Sequence, residues 1–150
     1  MKKKVSILII VFALFGVKQS NANELLDLLM NKLGVTELQA NAGTGVLLNY
    51  LKSQVSGEDF QTVSDGIEDG AGGYIKASED AGAYKKSVSR FGKATAPVTA
   101  PGLVANTTES FQKLGLKTDQ IVQFADVIFG YLKDKGKDKA ASIFAKMLDI

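Results

Sequence analysis

The sequence predicts an all-α fold, a helical bundle of about six to seven helices. Two observations predict it: a phrase of twenty residues occurs twice, and apolar residues recur at steps of three and four along both copies. The fold is expected to contain two pseudo-repeated helical units, about 24–69 and 106–149, joined by an Ala/Gly-rich segment. Residues 23–150 are expected to form one helical domain, since a chain of this length fits a single core.

Residues 1–22 have the composition of a signal peptide. Residues 2–4 are all lysine, residues 5–17 are almost wholly apolar, and Ser-Asn-Ala at 20–22 supplies small residues for a signal peptidase, so cleavage is expected after Ala22. The apolar run is shorter than the roughly twenty residues of a membrane anchor, and the absence of cysteine excludes a lipoprotein. The protein is therefore expected in the periplasm or the medium.

Loss of the signal peptide reverses the net charge. The whole chain has 18 basic and 16 acidic residues, and four of the lysines lie within residues 1–22, which leaves 14 basic residues against 16 acidic ones. Nucleic-acid-binding domains usually have a basic excess. Nucleic acid is therefore not expected as a partner.

The repeated phrase occupies residues 33–52 and 114–133, at an offset of 81 residues, and seven of the twenty positions are identical. The identical pairs are Leu33/Leu114, Gly34/Gly115, Gln39/Gln120, Val46/Val127, Tyr50/Tyr131, Leu51/Leu132 and Lys52/Lys133. The two units are expected to pack their apolar faces together, because neither could bury its face well alone.

The second copy has the pattern of two helices around a polar turn. Its first apolar face consists of Ile121, Phe124, Ala125, Ile128 and Leu132, and its second of Ala140, Ile143, Phe144, Met147 and Leu148. Thr118 is placed to cap the first helix, and "KDKGKDK" at 133–139 is expected to end it.

The first copy repeats this pattern. Thr36 and Gln39 form a capping box, Phe60, Val63 and Ile67 mark the partner helix after a break at Ser56-Gly57, and each copy has an apolar lead-in helix. Those lead-in helices are expected to end at Gly34 and Gly115.

Between the copies, residues 70–105 are rich in Ala, Gly, Ser and Thr. The prolines at 97 and 101 predict a flexible connection over about 92–105. Apolar spacing predicts a helix from about 74 to 91, although Gly82 in its interior weakens that prediction.

Three short motifs resemble functional sites, and for each of them a purely structural role explains the residues better. The first two are a glycine pair and an acidic segment. Gly43 and Gly45 lack the strand and the lysine of a phosphate loop, and they align with helical positions of the second copy, so they are interpreted as glycines that let another helix approach. The segment at 65–76 resembles part of a calcium loop but has Ile67 at position three and Lys76 at position twelve. A weaker calcium contact from Asp65, Glu68 and Asp69 is the alternative there.

Ser110 and Lys113 have the SxxK spacing of serine acyltransferases, but the further motifs and larger scaffold of those enzymes are absent. The chain contains no histidine or cysteine, so it has no His-based triad, thiolate nucleophile or ordinary zinc site. Neighbouring acids such as Glu58 and Asp59 diverge by about 100° on a helix. We expect no enzyme activity, and no catalytic, cofactor-binding or metal-binding residues.

The leading functional hypothesis is a non-enzymatic helical binding or structural module. Its partner could be an apolar small molecule, a protein or the membrane surface, and Tyr50 and Tyr131 are candidates for a groove rim, although core-edge tyrosines explain them more simply. The first alternative is a membrane-surface protein that uses the amphipathic segment 118–148 and its lysines. A small carboxylate-dependent hydrolase is the second alternative.

The C-terminal phrase carries a family resemblance. In residues 113–148, LGL is followed by a helix ending in YLK, a turn of lysine and glycine, and a short apolar helix. This arrangement, with the signal peptide and the "AGTGVLL" helix, resembles the VcgC/VcgE-type family of exported bacterial proteins, a domain of unknown function. The resemblance implies Gram-negative export and an all-helical fold, and it supplies no catalytic residues.

Overall fold

A computed structural model of the protein describes residues 23–83 and 100–148. Over these residues the backbone forms helices joined by turns, with no strand, which confirms the all-α bundle. The helices are α1 (Glu24–Leu33), α2 (Glu37–Gln54), α3 (Gly57–Gly66), α4 (Gly70–Asp80), α5 (Ala100–Lys113), α6 (Asp119–Asp134) and α7 (Asp138–Leu148). The predicted signal peptide, residues 1–22, lies outside the described residues.

Helix α2 is the centre of the bundle. The helices α1, α3, α4, α5 and α6 all contact it, and the contact with α4 is the most extensive. Every residue from 42 to 48 is buried, so α2 is covered on all sides in its middle. A helix covered in this way lies within a core, whereas α6 has the apolar stripe of a helix packed on one face.

Two glycines let the neighbouring helices approach α2. A Cβ atom added at Gly45 would lie well under 3.0 Å from the carbonyl oxygen of Tyr74, so the backbone of α4 occupies the space of the missing side chain. At Gly43 the added atom would lie 2.6 Å from the ring of Phe124. The prediction that these glycines permit close helix approach is confirmed.

Aromatic side chains fill the space between the remaining helices. Phe111, Phe124 and Phe144 are fully buried. The rings of Phe111 and Phe124 meet edge to face, with centroids 5.3 Å apart and an interplanar angle of 85°. This edge-to-face geometry is a preferred one for an aromatic pair. The contact packs α5 against α6.

Several predicted helix ends are confirmed. The backbone N–H of Gln39 donates to Thr36 Oγ1 at 3.2 Å, and the N–H of Thr36 donates to Gln39 Oε1 at 3.0 Å, which completes the capping box of α2. Gly34 ends α1 with φ of 65°, and Gly115 follows α5 with φ of 74°. Both glycines adopt the left-handed conformation that terminates helices.

Two predictions about helix ends are wrong. The Thr118 side chain does not cap α6, because its backbone is already helical (φ −59°, ψ −39°). The N–H groups of Gln120 and Ile121 donate instead to the backbone carbonyl oxygens of Lys117 and Thr118, at 3.1 and 3.2 Å, and the Gln120 side chain accepts a separate hydrogen bond from the Lys117 N–H at 2.8 Å. The helix predicted over about 74–91 instead begins at Gly70 and ends at Asp80, with Gly82 at φ of 70° just beyond its end, and residues 84–91 of the prediction lie outside the described residues.

The flexible connection predicted over about 92–105 is wrong for its last part. Helix α5 begins at Ala100, so residues 100–105 are helical, and residues 92–99 lie outside the described residues. Pro101 is the second residue of α5. Its missing N–H costs little there, because the first N–H groups of a helix have no intrahelical partner.

The helix boundaries follow the offset of 81 residues seen in the sequence. Shifted by that offset, α2 would cover 118–135, and α6 covers Asp119–Asp134. Gly43 and Phe124, which are equivalent in the repeat, are in contact. The three-dimensional equivalence of the two units stays a prediction.

The approach of α4 to α2 predicts the effect of a single methyl group. Gly45→Ala should destabilise the fold by about 3 kcal/mol or more, because the new Cβ meets backbone that no rotamer change can move away. Urea unfolding followed by circular dichroism measures this change. The control is Gly73→Ala in α4, where an added Cβ meets nothing within 4 Å, and stability should rise by about 0.5–1 kcal/mol. Equal effects at both positions would contradict the interpretation.

Candidate functional site

The largest group of interacting polar side chains in the described residues lies where α1 begins. It joins α1 to the turn between α3 and α4, and to α6. We call it the polar corner, and its members are Asn23, Glu24, Glu68, Asp69, Tyr74, Tyr131 and Lys135.

Asn23 holds the polar corner together. Its side-chain oxygen accepts from the Leu25 N–H at 3.0 Å, which caps α1. Its amide nitrogen donates to the Tyr74 hydroxyl at 2.6 Å and to Asp69 Oδ2 at 3.2 Å. One side chain therefore caps the start of α1 and joins it to α4 and to the turn before α4.

The turn between α3 and α4 presents its acids to α1. Asp69 has φ of 63°, the only positive φ of a non-glycine residue in the described chain, and Gly70 follows with φ of 68°. Aspartate tolerates this left-handed conformation better than most residues. The turn places Glu68 Oε2 3.1 Å from the Glu24 N–H, where it receives a hydrogen bond and satisfies a free donor at the start of α1.

Two tyrosines of the polar corner are almost fully buried, with Tyr74 3% and Tyr131 2% exposed. Burial raises the pKa of Tyr74 well above its ordinary value, and the negative charge of Asp69 raises it further. Burial also raises the pKa of Tyr131, with a further contribution from the charge of Glu68. Both phenols are thus protonated at neutral pH and act as hydrogen-bonding groups.

Lys135 lies on the exposed side of the polar corner. Its ammonium group forms an ion pair with Glu24 and lies 5.7 Å from the centroid of the Tyr131 ring. The hydrogen bond to Glu24 raises the pKa of Lys135. The arrangement fastens α1, α4 and α6 to one another, and it contains no pair of groups matched for nucleophile and base.

A second feature is an open groove of about 330 Å³ between α3 and the start of α7. We call it the charged groove, and its lining residues are Thr62, Asp65, Gly66, Gly136, Lys137, Asp138, Lys139 and Ala140. A Cβ added at Gly66 would lie 2.9 Å from Leu132 and 3.3 Å from Ala140, so this glycine lets α3 lie close to α6 and α7.

The charged groove carries both signs of charge. Asp65 and Asp138 supply two negative charges, and Lys137 and Lys139 supply two positive ones. Lys133 pairs with Asp138 at 3.1 Å, whereas Lys137 and Lys139 are exposed and have no ion-pair partner among the described residues. The groove therefore offers two free cationic side chains beside the carboxylate of Asp65.

The acids considered for calcium do not converge. Asp65 accepts a hydrogen bond from Gln61 at 2.7 Å, whereas Glu68 and Asp69 face the start of α1. In the part of the chain that the structure describes, no group of three acidic side chains is arranged to hold a metal ion.

The other sequence candidates occupy structural positions. Lys113 pairs with Glu109 at 2.8 Å. Tyr50 is only 7% exposed, and its hydroxyl has no hydrogen-bond partner among the described residues. Burial raises the pKa of Tyr50. Tyr50 and Tyr131 are thus tyrosines at the edge of the core, as the simpler interpretation expected, and neither lines the charged groove.

A family model described as a protein of unknown function, VcgC/VcgE (DUF2780), matches residues 16–149. The chain belongs to the VcgC/VcgE family. The family match covers nearly the whole chain, which confirms the resemblance seen in the C-terminal phrase. No curated protein and no solved structure shows significant similarity to the chain.

Sequence reasoning missed both the polar corner and the charged groove. An asparagine immediately before an apolar helical run is a recognised capping signal, so Asn23 was detectable. Its partners Glu68, Asp69 and Tyr74 are more than forty residues away, and no periodicity links them to it.

Ionisation of Tyr74 predicts a loss of stability at high pH. An unfolded tyrosine ionises near pH 10, whereas folded Tyr74 keeps its proton, so stability falls as pH rises above about 10. In Tyr74→Phe this fall should be smaller, and at neutral pH the lost hydrogen bond should cost about 0.5–1.5 kcal/mol. Urea unfolding at pH 7, 9, 10 and 11 measures both effects.

The comparison for this experiment is Tyr50→Phe, which should cost little at neutral pH because the Tyr50 hydroxyl has no hydrogen-bond partner among the described residues. If Tyr74→Phe lost stability with pH as steeply as the unsubstituted protein, the role given to Tyr74 would be wrong.

Proposed function

We propose that this member of the VcgC/VcgE family is an exported, non-enzymatic helical module that binds a protein partner through the charged groove. The observation that carries the proposal is the groove itself, an open depression of about 330 Å³ lined by charges of both signs. Exposed charges that meet complementary charges fix the orientation of a partner and speed its association.

The type of partner follows from the surface. Among the described residues, Leu38 alone is a large apolar side chain that is exposed. So little exposed apolar surface disfavours association through an apolar helix stripe, and it disfavours capture of an apolar molecule at the surface. Mixed charges disfavour a uniformly anionic partner as well. A polar protein segment that carries both signs of charge fits the groove best.

Membrane-surface binding is the second candidate, favoured by the exposed lysines at 133–139. An amphipathic helix binds a bilayer by inserting its apolar face. In this fold the apolar face of α6 is buried: Ile121, Phe124 and Ile128 are fully covered. In the two described stretches, 23–83 and 100–148, none of the helices has the length and apolar character needed to span a bilayer. Membrane binding would have to depend on the lysines alone.

Export is supported by the composition of residues 1–22 and predicts a defined mature N-terminus. The protein recovered from outside the cytoplasmic membrane should begin at Asn23, because the small residues before it suit signal peptidase. Intact mass and N-terminal peptide mass measure the first residue. The cytoplasmic fraction provides the control, and recovery of the extracytoplasmic protein with residues 1–22 still attached would contradict the proposal.

The charged groove predicts a site-specific cross-link. A photoreactive residue at Thr62 should give a discrete adduct with one protein in the exporting cell, and the same residue at exposed Gln112 should not. Lys137→Glu combined with Lys139→Glu should reduce the adduct about tenfold or more, the effect expected for loss of one close charge pair.

Lys117→Glu reverses one charge outside the groove, as Lys137→Glu alone does inside it, and should leave the adduct unchanged. Equal adducts from Thr62 and Gln112, or an adduct that is insensitive to both lysine changes, would contradict the proposed surface.

A further inference from the structure

The predicted cleavage site and the polar corner meet at one residue. Cleavage after Ala22 would make Asn23 the first residue of the mature protein and give it a charged α-ammonium group in place of a neutral peptide N–H. Asn23 is the N-cap of α1 and the central hydrogen-bonding residue of the polar corner. Processing would therefore place a new positive charge among acidic side chains.

We propose that cleavage after Ala22 creates a charged N-terminus at Asn23 that docks onto the carboxylates of Glu68 and Asp69 and fastens α1 to the turn between α3 and α4. This ionic contact can form only after cleavage, because the uncleaved chain has no charge at this position. The inference rests on the processing step of the proposed function and is independent of the charged groove.

Distances within the polar corner place the Asn23 nitrogen near these carboxylates. Glu68 Oε2 lies 3.1 Å from the Glu24 nitrogen, and consecutive backbone nitrogens are separated by only three bonds, or about 4 Å at most. The Asn23 side chain also reaches Asp69 Oδ2 at 3.2 Å and the Glu68 carbonyl oxygen at 3.4 Å. These separations place the Asn23 backbone nitrogen within about 7 Å of Glu68 Oε2, close enough for its charge to interact with that carboxylate.

The surrounding charges favour a cation overall. A positive charge at the start of a helix is opposed by the helix dipole, but the first turn of α1 carries Glu24 and Asp27, which offset it. The titratable groups of the polar corner around this position are Glu24 from α1, Glu68 and Asp69 from the turn, Tyr74 from α4, Tyr131 from α6 and Lys135 just after α6, and Asp27 is a further acid in the first turn of α1. Lys135 is already paired with Glu24, and the tyrosines are neutral below about pH 10.

The test uses a chain whose first residue is Asn23, prepared by removing a tag with a protease that leaves no extra residue. A second chain begins at Ser20, which moves the ammonium group three residues away. The α-amine is labelled by reductive methylation with ¹³C, and its titration is followed by NMR, separately from the lysines. An attractive interaction with two carboxylates should raise the pKa of this amine by about 0.5 to 1 above its ordinary range of about 7.7–8.0.

Substitutions assign the effect to the polar corner. Glu68→Gln should return the α-amino pKa towards its ordinary range. Glu79→Gln removes an exposed acid of α4 that makes no polar-corner contact, and it should change nothing. In the chain that begins at Ser20 the α-amino pKa should be ordinary.

Stability gives an independent readout. A group whose folded pKa is raised stabilises the fold fully below its unfolded pKa and ceases to do so as pH rises through its folded pKa. The chain that begins at Asn23 should unfold about 2–5 °C higher than the Ser20 chain at pH 7, and this difference should disappear by about pH 10. An ordinary α-amino pKa in the Asn23 chain, or a pKa insensitive to Glu68→Gln, would overturn the docking.

These outcomes are separate from those of the proposed function. The defined N-terminus is made without export, so failure of the docking leaves export and the charged groove untouched. A different first residue in the exported protein would instead overturn the processing step.

Discussion

The contact between α2 and α4 at Gly45 is the constraint on which the rest of the structure depends. The backbone of α4 at Tyr74 lies in the space that a side chain at residue 45 would fill. Helix backbones can approach this closely only where one helix lacks a side chain. Because α2 is covered by the other helices as well, the position of α4 against it fixes how the remaining elements enclose the core.

Tyr74 connects that contact to the polar corner. Its carbonyl oxygen packs against Gly45 in the core, and its hydroxyl accepts a hydrogen bond from Asn23 at the start of α1. A shift of α4 would therefore disturb both the buried helix contact and the hydrogen bonds that hold the first helix. The charged groove lies elsewhere, between α3 and α7, so the part of the surface available to a partner is separate from these internal connections.

Local sequence features explain which predictions succeeded. The capping box at Thr36 and Gln39 and the terminating glycine Gly34 act over a few residues, so the sequence predicted them. Thr118 failed as a cap because its own backbone is helical, and the N–H groups of Gln120 and Ile121 donate to backbone carbonyl oxygens of the first turn instead. The polar corner depends on Asn23 meeting Asp69 and Tyr74, and the pairing of residues so far apart is decided by tertiary packing, which periodicity does not encode. The same packing places α5 from Ala100 onward, where composition alone indicated a connection.

If α2 is the helix on which the bundle is built, its central amides should open only when the whole domain unfolds. Hydrogen exchange of the mature protein, measured by NMR or mass spectrometry, tests this most directly. The amides of residues 43–51 should exchange with the free energy of global unfolding, whereas those of α1 and α7 should exchange through smaller openings. Faster exchange in the middle of α2 than in α1 or α7 would contradict the central place given to the contact between α2 and α4.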